Sequence, residues 1–129
     1  MIEKIDTKVL LSTLWIVVMI NMLKADILSL YIPGTADELA KFAGETPITQ
    51  LMLTGAIIME FSVLMIVLAR VLAYRVNRWA NIVVGLLTIV FVVGGGSAYP
   101  HYIFIATVEV VCLLLIVWIA WKWRSVPSN

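Results

Sequence analysis

Charge is scarce in this 129-residue chain: Asp, Glu, Lys and Arg make up 13% of it, about half the share of an ordinary soluble domain. There is one cysteine, Cys112, which excludes an intramolecular disulfide and every metal motif built on several cysteines. A net charge of +1 supplies no basic face of the kind a nucleic-acid partner requires, so that class is excluded as well. The chain has no phosphate-cradling glycine loop, no nucleophile elbow and no paired-cysteine redox motif.

What fills the chain instead is apolar. Hydrophobic residues account for 63% and the mean hydropathy is +1.07. A single small domain cannot hide that much apolar surface from water, so its solvent is lipid. A hydrocarbon layer of about 30 Å needs about 20 helical residues, and four runs reach that length, over about 9–32, 47–69, 79–96 and 100–121. Pro33-Gly34 ends the first run. Thr46 caps the second, with Pro47 at its first helical position. The first run carries Asn21, Lys24 and Asp26, is too long for a signal peptide and has no small-residue cleavage pattern after it, so it is expected to stay in the protein. The predicted fold class is all-α: a polytopic membrane protein with one membrane domain over 1–129, folded as an antiparallel bundle of four transmembrane helices.

Basic residues set the orientation. Lys4, Lys8, Arg70, Arg75, Arg78, Lys122 and Arg124 fall at one end of the spans and only Lys41 in a loop at the other, so both termini are expected in the cytoplasm. Trp79, Trp118, Trp121 and Trp123 then lie toward the inner interface, and Tyr31, Tyr99 and Tyr102 toward the outer one. The outer loop 33–46 has room for a short surface helix, with Thr35 as N-cap, Glu38 completing a capping box and Gly44 ending it. The segment Gly94-Gly95-Gly96-Ser97 fits a tight turn between the last two spans. The inner loop from Arg70 to Trp79 is expected to fix topology and touch anionic lipid.

The informative residues are those that lipid rejects. A charge at the bilayer centre costs about 2.5–3.5 kcal/mol on insertion scales and usually faces the bundle interior. Glu60 lies about 20 Å along the second span and Glu109 about 13 Å along the fourth, both counted from the outer end. Asn21, Lys24 and Asp26 occupy the outer half of the first. Helical phase puts Thr49, Leu53 and Glu60 on one face, and His101, Ile105, Glu109, Cys112 and Ile116 on another. Lys24 and Asp26 are about 200° apart, so one points inward and the other snorkels to the headgroups. These residues predict an outward-opening polar pocket. In it Glu60 and Glu109 exchange protons or bind a cation, Asn21 and Asp26 or Lys24 complete the site, and His101 stands at the mouth.

No metal is expected: neither glutamate has the Glu-x-x-His spacing of di-metal carboxylate bundles. A haem would want inward histidines at depth, which this chain lacks. Cys112 reads as a small apolar filler. The leading functional expectation is binding, and with it transport, of a small lipophilic or cationic ligand; a gated pathway through so small a bundle would need a homodimer. One alternative is a quinone- or lipid-linked redox or isomerase subunit with the carboxylates as acid and base. The other is an accessory subunit in which the glutamates serve as helix glue. No cofactor is identifiable.

Leu10-Leu-Ser-Thr-Leu-Trp15, Asn21 and Ala25-Asp26-Ile-Leu-Ser-Leu30 resemble the opening of a family of short four-span bacterial membrane proteins of unknown function. Asn77-Arg-Trp-Ala-Asn81, Tyr102-Ile-Phe-Ile-Ala-Thr-Val-Glu109 and Trp121-Lys-Trp-Arg124 are similar to its later blocks. The resemblance implies a bacterial cytoplasmic (inner) membrane setting and a family pattern containing Asn21, Asp26, Glu60, Asn81 and Glu109. Lys24 departs from that pattern, which favours Asp26 as the inward charge. More distantly, Glu60 followed by Arg70 resembles the second span of DoxX-like four-helix membrane proteins, a likeness of fold that carries no function.

Overall fold

The computed structural model describes residues 6–94 and 99–124. It contains α1 (Thr7–Ser29), α2 (Thr35–Ala43), α3 (Ile48–Val71), α4 (Tyr74–Gly94) and α5 (Pro100–Lys122). The described residues form no strand. Four of the five helices are long and apolar enough to cross a membrane, so the chain is a multi-pass membrane protein. Lys4 and the turn expected through Gly95, Gly96 and Ser97 lie outside the described residues.

Besides α3, whose N-cap is Pro47 where Thr46 was expected, two local expectations need correction. Thr35 does not cap α2; Gly34 does, at φ 86°, a left-handed backbone that glycine adopts without strain. The Thr35 hydroxyl instead donates back to the carbonyls of Ser29 (2.9 Å) and Ile32 (2.7 Å), tying α2 to the end of α1. The second correction is larger. The stretch from Arg70 to Trp79 is helix almost throughout, because α3 runs on to Val71 and α4 begins at Tyr74. Several of its polar side chains satisfy carbonyls of neighbouring helices. Arg78 donates from Nε to Ala120 O (3.0 Å) and from Nη2 to Trp121 O (2.9 Å). Tyr74 donates to Trp123 O at 2.8 Å. These bonds close the C-terminal end of α5, where C-terminal helical carbonyls lack partners of their own.

The spanning helices form a ring in the order α1, α3, α4, α5 and back to α1. Side-chain contacts define which ends meet. Ser12, early in α1, donates to Ile66 O late in α3 (2.7 Å) and accepts from Arg70 Nε (3.1 Å). Ser29, at the end of α1, bonds His101 at the start of α5. Close approach depends on small residues, as it does in lipid, where helices gain little from hiding apolar surface. Ser12, Ala25, Ser62, Ala69, Gly85 and Ala120 are all buried. A Cβ at Gly85 would stand 3.0 Å from Val117 Cγ2, so any larger residue there would push the Val117 side chain aside and loosen the α4–α5 contact.

A polar network locks the end of the ring near the α3–α4 turn. Trp15 of α1 reaches across to α4 and donates from Nε1 to Asn81 Oδ1 at 2.8 Å. Asn81 Nδ2 donates to Asn77 O (2.8 Å) and Asn77 Oδ1 (2.6 Å). Asn77 Nδ2 donates in turn to Ala69 O (2.7 Å) and Leu72 O (3.2 Å) at the end of α3. Trp15, Asn77 and Asn81 are fully buried, and each of their side-chain donors and acceptors is matched. A network satisfied to that degree fixes structure and offers nothing to a ligand.

Candidate functional site

The other end of the ring, on the side that carries α2, is built differently. Glu109 lies nine residues past Pro100, about 13 Å into α5, on the buried stripe Ile105, Glu109, Leu113, Ile116 and Ala120. It is 3% exposed. Its Oε1 is completely buried and has no hydrogen-bond partner among the described residues. Such a group costs about 1–3 kcal/mol, and folded proteins keep few of them.

Glu109 faces a cavity of about 110 Å³, lined also by Met22, Ala25 and Asp26 of α1, Phe91 and Val92 of α4, and Tyr102 of α5. Asp26 is the exposed member of this lining, so the cavity reaches the surface beside it. Tyr102 forms part of the wall while its hydroxyl donates to Val92 O at 3.0 Å, joining α5 to α4. The cavity therefore combines two carboxyls with apolar and aromatic walls and includes no basic residue.

Six residues were expected to contribute to one site, and the structure divides them. Glu109 and Asp26 line the same cavity. Lys24 is exposed and does not line it. Asn21 turns back on its own helix, donating from Nδ2 to Val17 O at 2.8 Å. His101 stands at the end of the bundle, half-buried, with Nε2 3.1 Å from Ser29 Oγ and its ring stacked on Tyr99 at 6.2 Å; it is outside the cavity lining.

Glu60 is the clear correction. The buried face of α3 is Ser62, Met65 and Ala69. Glu60 is about 200° from Ser62 around the helix and about 140° from Met65. It shares a face with Thr49 and Leu53 as expected, but that face is exposed. Among the described residues Glu109 is the one buried glutamate, and Glu60 lies on the opposite side of its helix from the packed face.

Sequence reasoning placed Tyr102 at the interface and did not count it as part of a site. Its OH also fixes the α4 wall, a role that only its spacing from Glu109, about two turns along α5, could have suggested. Among the described residues no group of three His, Cys, Asp or Glu side chains is placed to hold a metal ion.

An apolar groove of about 540 Å³ runs between α3 and α4. A shallower one of about 370 Å³ runs between α4 and α5. Both share wall residues with the Glu109 cavity: Met22 and Phe91 in the first case, Val92 and Tyr102 in the second.

No curated protein and no solved structure matches the chain, and the likeness to DoxX-like proteins finds no support in these comparisons. A family model does match, over residues 3–127, nearly the whole chain and every helix that builds the cavity. On that match the chain belongs to the family of unknown function DUF6326.

Proposed function

We propose that this protein binds a small lipophilic or cationic ligand in the Glu109 cavity, with proton exchange at that carboxyl coupled to occupancy. In this reading the four helices run antiparallel through a bacterial cytoplasmic membrane, with both termini in the cytoplasm and the cavity opening outward beside Asp26. The positions of Lys8, Arg70, Arg75, Arg78, Lys122 and Arg124 support the orientation, since positive residues stay inside. The observation that carries the functional reading is Glu109 Oε1, buried and unmatched, where the other buried side-chain polar atoms among the described residues are paired. A group kept at that cost is expected to do something other than hold helices together.

The titratable side chains around the carboxyl are Asp26 from α1 and, on its own helix, Tyr102 and Cys112; α4 contributes Phe91 and Val92. Tetramethylammonium is a suitable probe because it has no proton of its own to lose, so any pH dependence belongs to the protein. Its affinity is expected to fall as the medium is acidified, because protons compete with the cation for the carboxylates. Glu109→Gln should weaken binding by about tenfold or more and flatten most of the pH dependence. Equilibrium dialysis of the detergent-purified protein measures both, and unchanged affinity in Glu109→Gln rules the reading out.

A second observation favours self-association. Glu60 lies mid-helix on an exposed face of α3, where hydrocarbon would leave its carboxyl without a partner. A two-fold contact through that face sets each Glu60 against its copy, giving each carboxyl a hydrogen-bond partner. Analytical ultracentrifugation in detergent should show a dimer for the native chain and a shift toward monomer for Glu60→Leu. A native monomer at all concentrations would dismiss the contact.

A further inference from the structure

We infer that the α3–α4 groove and the Glu109 cavity form one composite site for a single-chain amphiphilic cation. The headgroup sits between Asp26 and Glu109, and the chain lies in the groove, reached sideways from the bilayer. This rests on the proposed ligand-binding role of Glu109 and extends it to a ligand class and a route.

The route follows from how the two spaces are separated. Met22 and Phe91 line both, and neither is held by a side-chain hydrogen bond. Met22 is flexible and unbranched, and Phe91 is half-buried, so rotation of these two side chains joins groove to cavity. On the other side the wall is Val92 and Tyr102, and there the Tyr102 hydroxyl holds Val92 O at 3.0 Å. Opening that wall breaks this hydrogen bond, whereas turning Met22 and Phe91 aside breaks none. Access between α3 and α4 is therefore the cheaper path.

The groove suits a hydrocarbon chain. Its volume of about 540 Å³ falls within the usual range for ligand pockets, roughly 300–1,000 Å³. Its rim residues Ile58, Phe61, Leu87 and Val90 are exposed, which in a bilayer means open to acyl tails. The two hydroxyls in its floor are already used: Thr88 donates to Val84 O (2.7 Å) and so accepts from Ser62 (2.8 Å). Nothing polar is left in the groove to reject a methylene chain.

The head must be positive. Two carboxyls line the cavity, one with an unmatched buried oxygen, and no basic side chain joins them. An anionic head would meet repulsion there, and a neutral one would draw no attraction from either carboxylate. A cation answers both carboxyls and draws its tail into the adjoining groove.

The test uses dodecyltrimethylammonium carrying a photoactivatable diazirine at the tail end, with the full-length protein in phosphatidylcholine nanodiscs. After irradiation, adducts are mapped by tandem mass spectrometry. They are expected on residues 58–62 and 83–91, and Leu87→Trp, which fills the groove from its lipid-facing rim, should cut them about tenfold. The same substitution should leave tetramethylammonium affinity unchanged, because that probe has a head and no chain. Adducts concentrated on residues 103–111, or spread evenly around the bundle, overturn the composite site even where tetramethylammonium still binds through Glu109. If tetramethylammonium binding is also indifferent to Glu109→Gln, the functional reading beneath it falls too.

Discussion

Asn81→Leu is expected to destabilise the bundle by about 3 kcal/mol, a large fraction of the stability of a typical domain. The substitution is close in volume, so the loss is not one of packing. It strands the Trp15 indole N–H and the Asn77 side-chain carbonyl, which Asn81 now serves at 2.8 and 2.6 Å. Each stranded group costs about 1–3 kcal/mol when buried, and Trp15 and Asn77 are both at 0% exposure. A typical interhelical hydrogen bond in a membrane contributes only about 0.6 kcal/mol, since the unfolded state in lipid finds other partners. That tempers the sum without cancelling it, because two groups lose partners together. Trp15→Phe strands only the Asn81 carbonyl but also leaves a cavity where a fully buried indole stood, so a loss of similar size is expected. Reversible unfolding in mixed micelles measures both; a change below about 1 kcal/mol for Asn81→Leu would mean that packing at Gly85 and Ala69, and not this network, holds the ring.

Glu109→Leu is expected to have the opposite sign. Removing a buried oxygen that has no partner relieves about 1–3 kcal/mol of desolvation cost, and leucine fills a similar volume. The variant should therefore unfold at higher denaturant or temperature while binding no tetramethylammonium. Gain of stability with loss of binding marks a residue retained for function. If Glu109 were helix glue the same substitution would destabilise the protein, so the sign alone separates a binding protein from a structural accessory subunit. The comparison is made without added cation, because a bound ligand stabilises the native chain by mass action.

Much of the architecture was readable in one dimension. Four spans, the short helix at 35–43 and the end of the bundle that carries the basic residues all follow from run length, breakers and charge. Span ends were less secure. Asn77 and Arg78 look like loop by composition, yet they are helical, and each finds a carbonyl partner on a neighbouring helix. Polarity alone does not tell a solvated segment from a satisfied buried one.

The site was half readable. Glu109 and Asp26 were selected as residues that lipid would reject, and they do line one cavity. Glu60 was selected by the same argument and sits on the wrong face. The helix around it is apolar on every side, so no hydrophobic stripe shows which side packs. The better signal was the row of small residues: Ser62 and Ala69 lie on the buried face of α3, as Ser12, Gly85 and Ala120 do on their helices. In lipid, close backbone approach selects the interface, and charge does not.

The chain's own order of residues thus determined that it lives in a membrane, how many times it crosses, and which carboxyls are too costly to be incidental. Which of those carboxyls share a space was decided by tertiary packing. A helix immersed in hydrocarbon gains nothing from turning one apolar face inward instead of another, so rotation about its axis is set by the neighbours it can approach. Here Trp15 reaching to Asn81, and Gly85 yielding room to Val117, fix that rotation and leave Glu109 inside and Glu60 out.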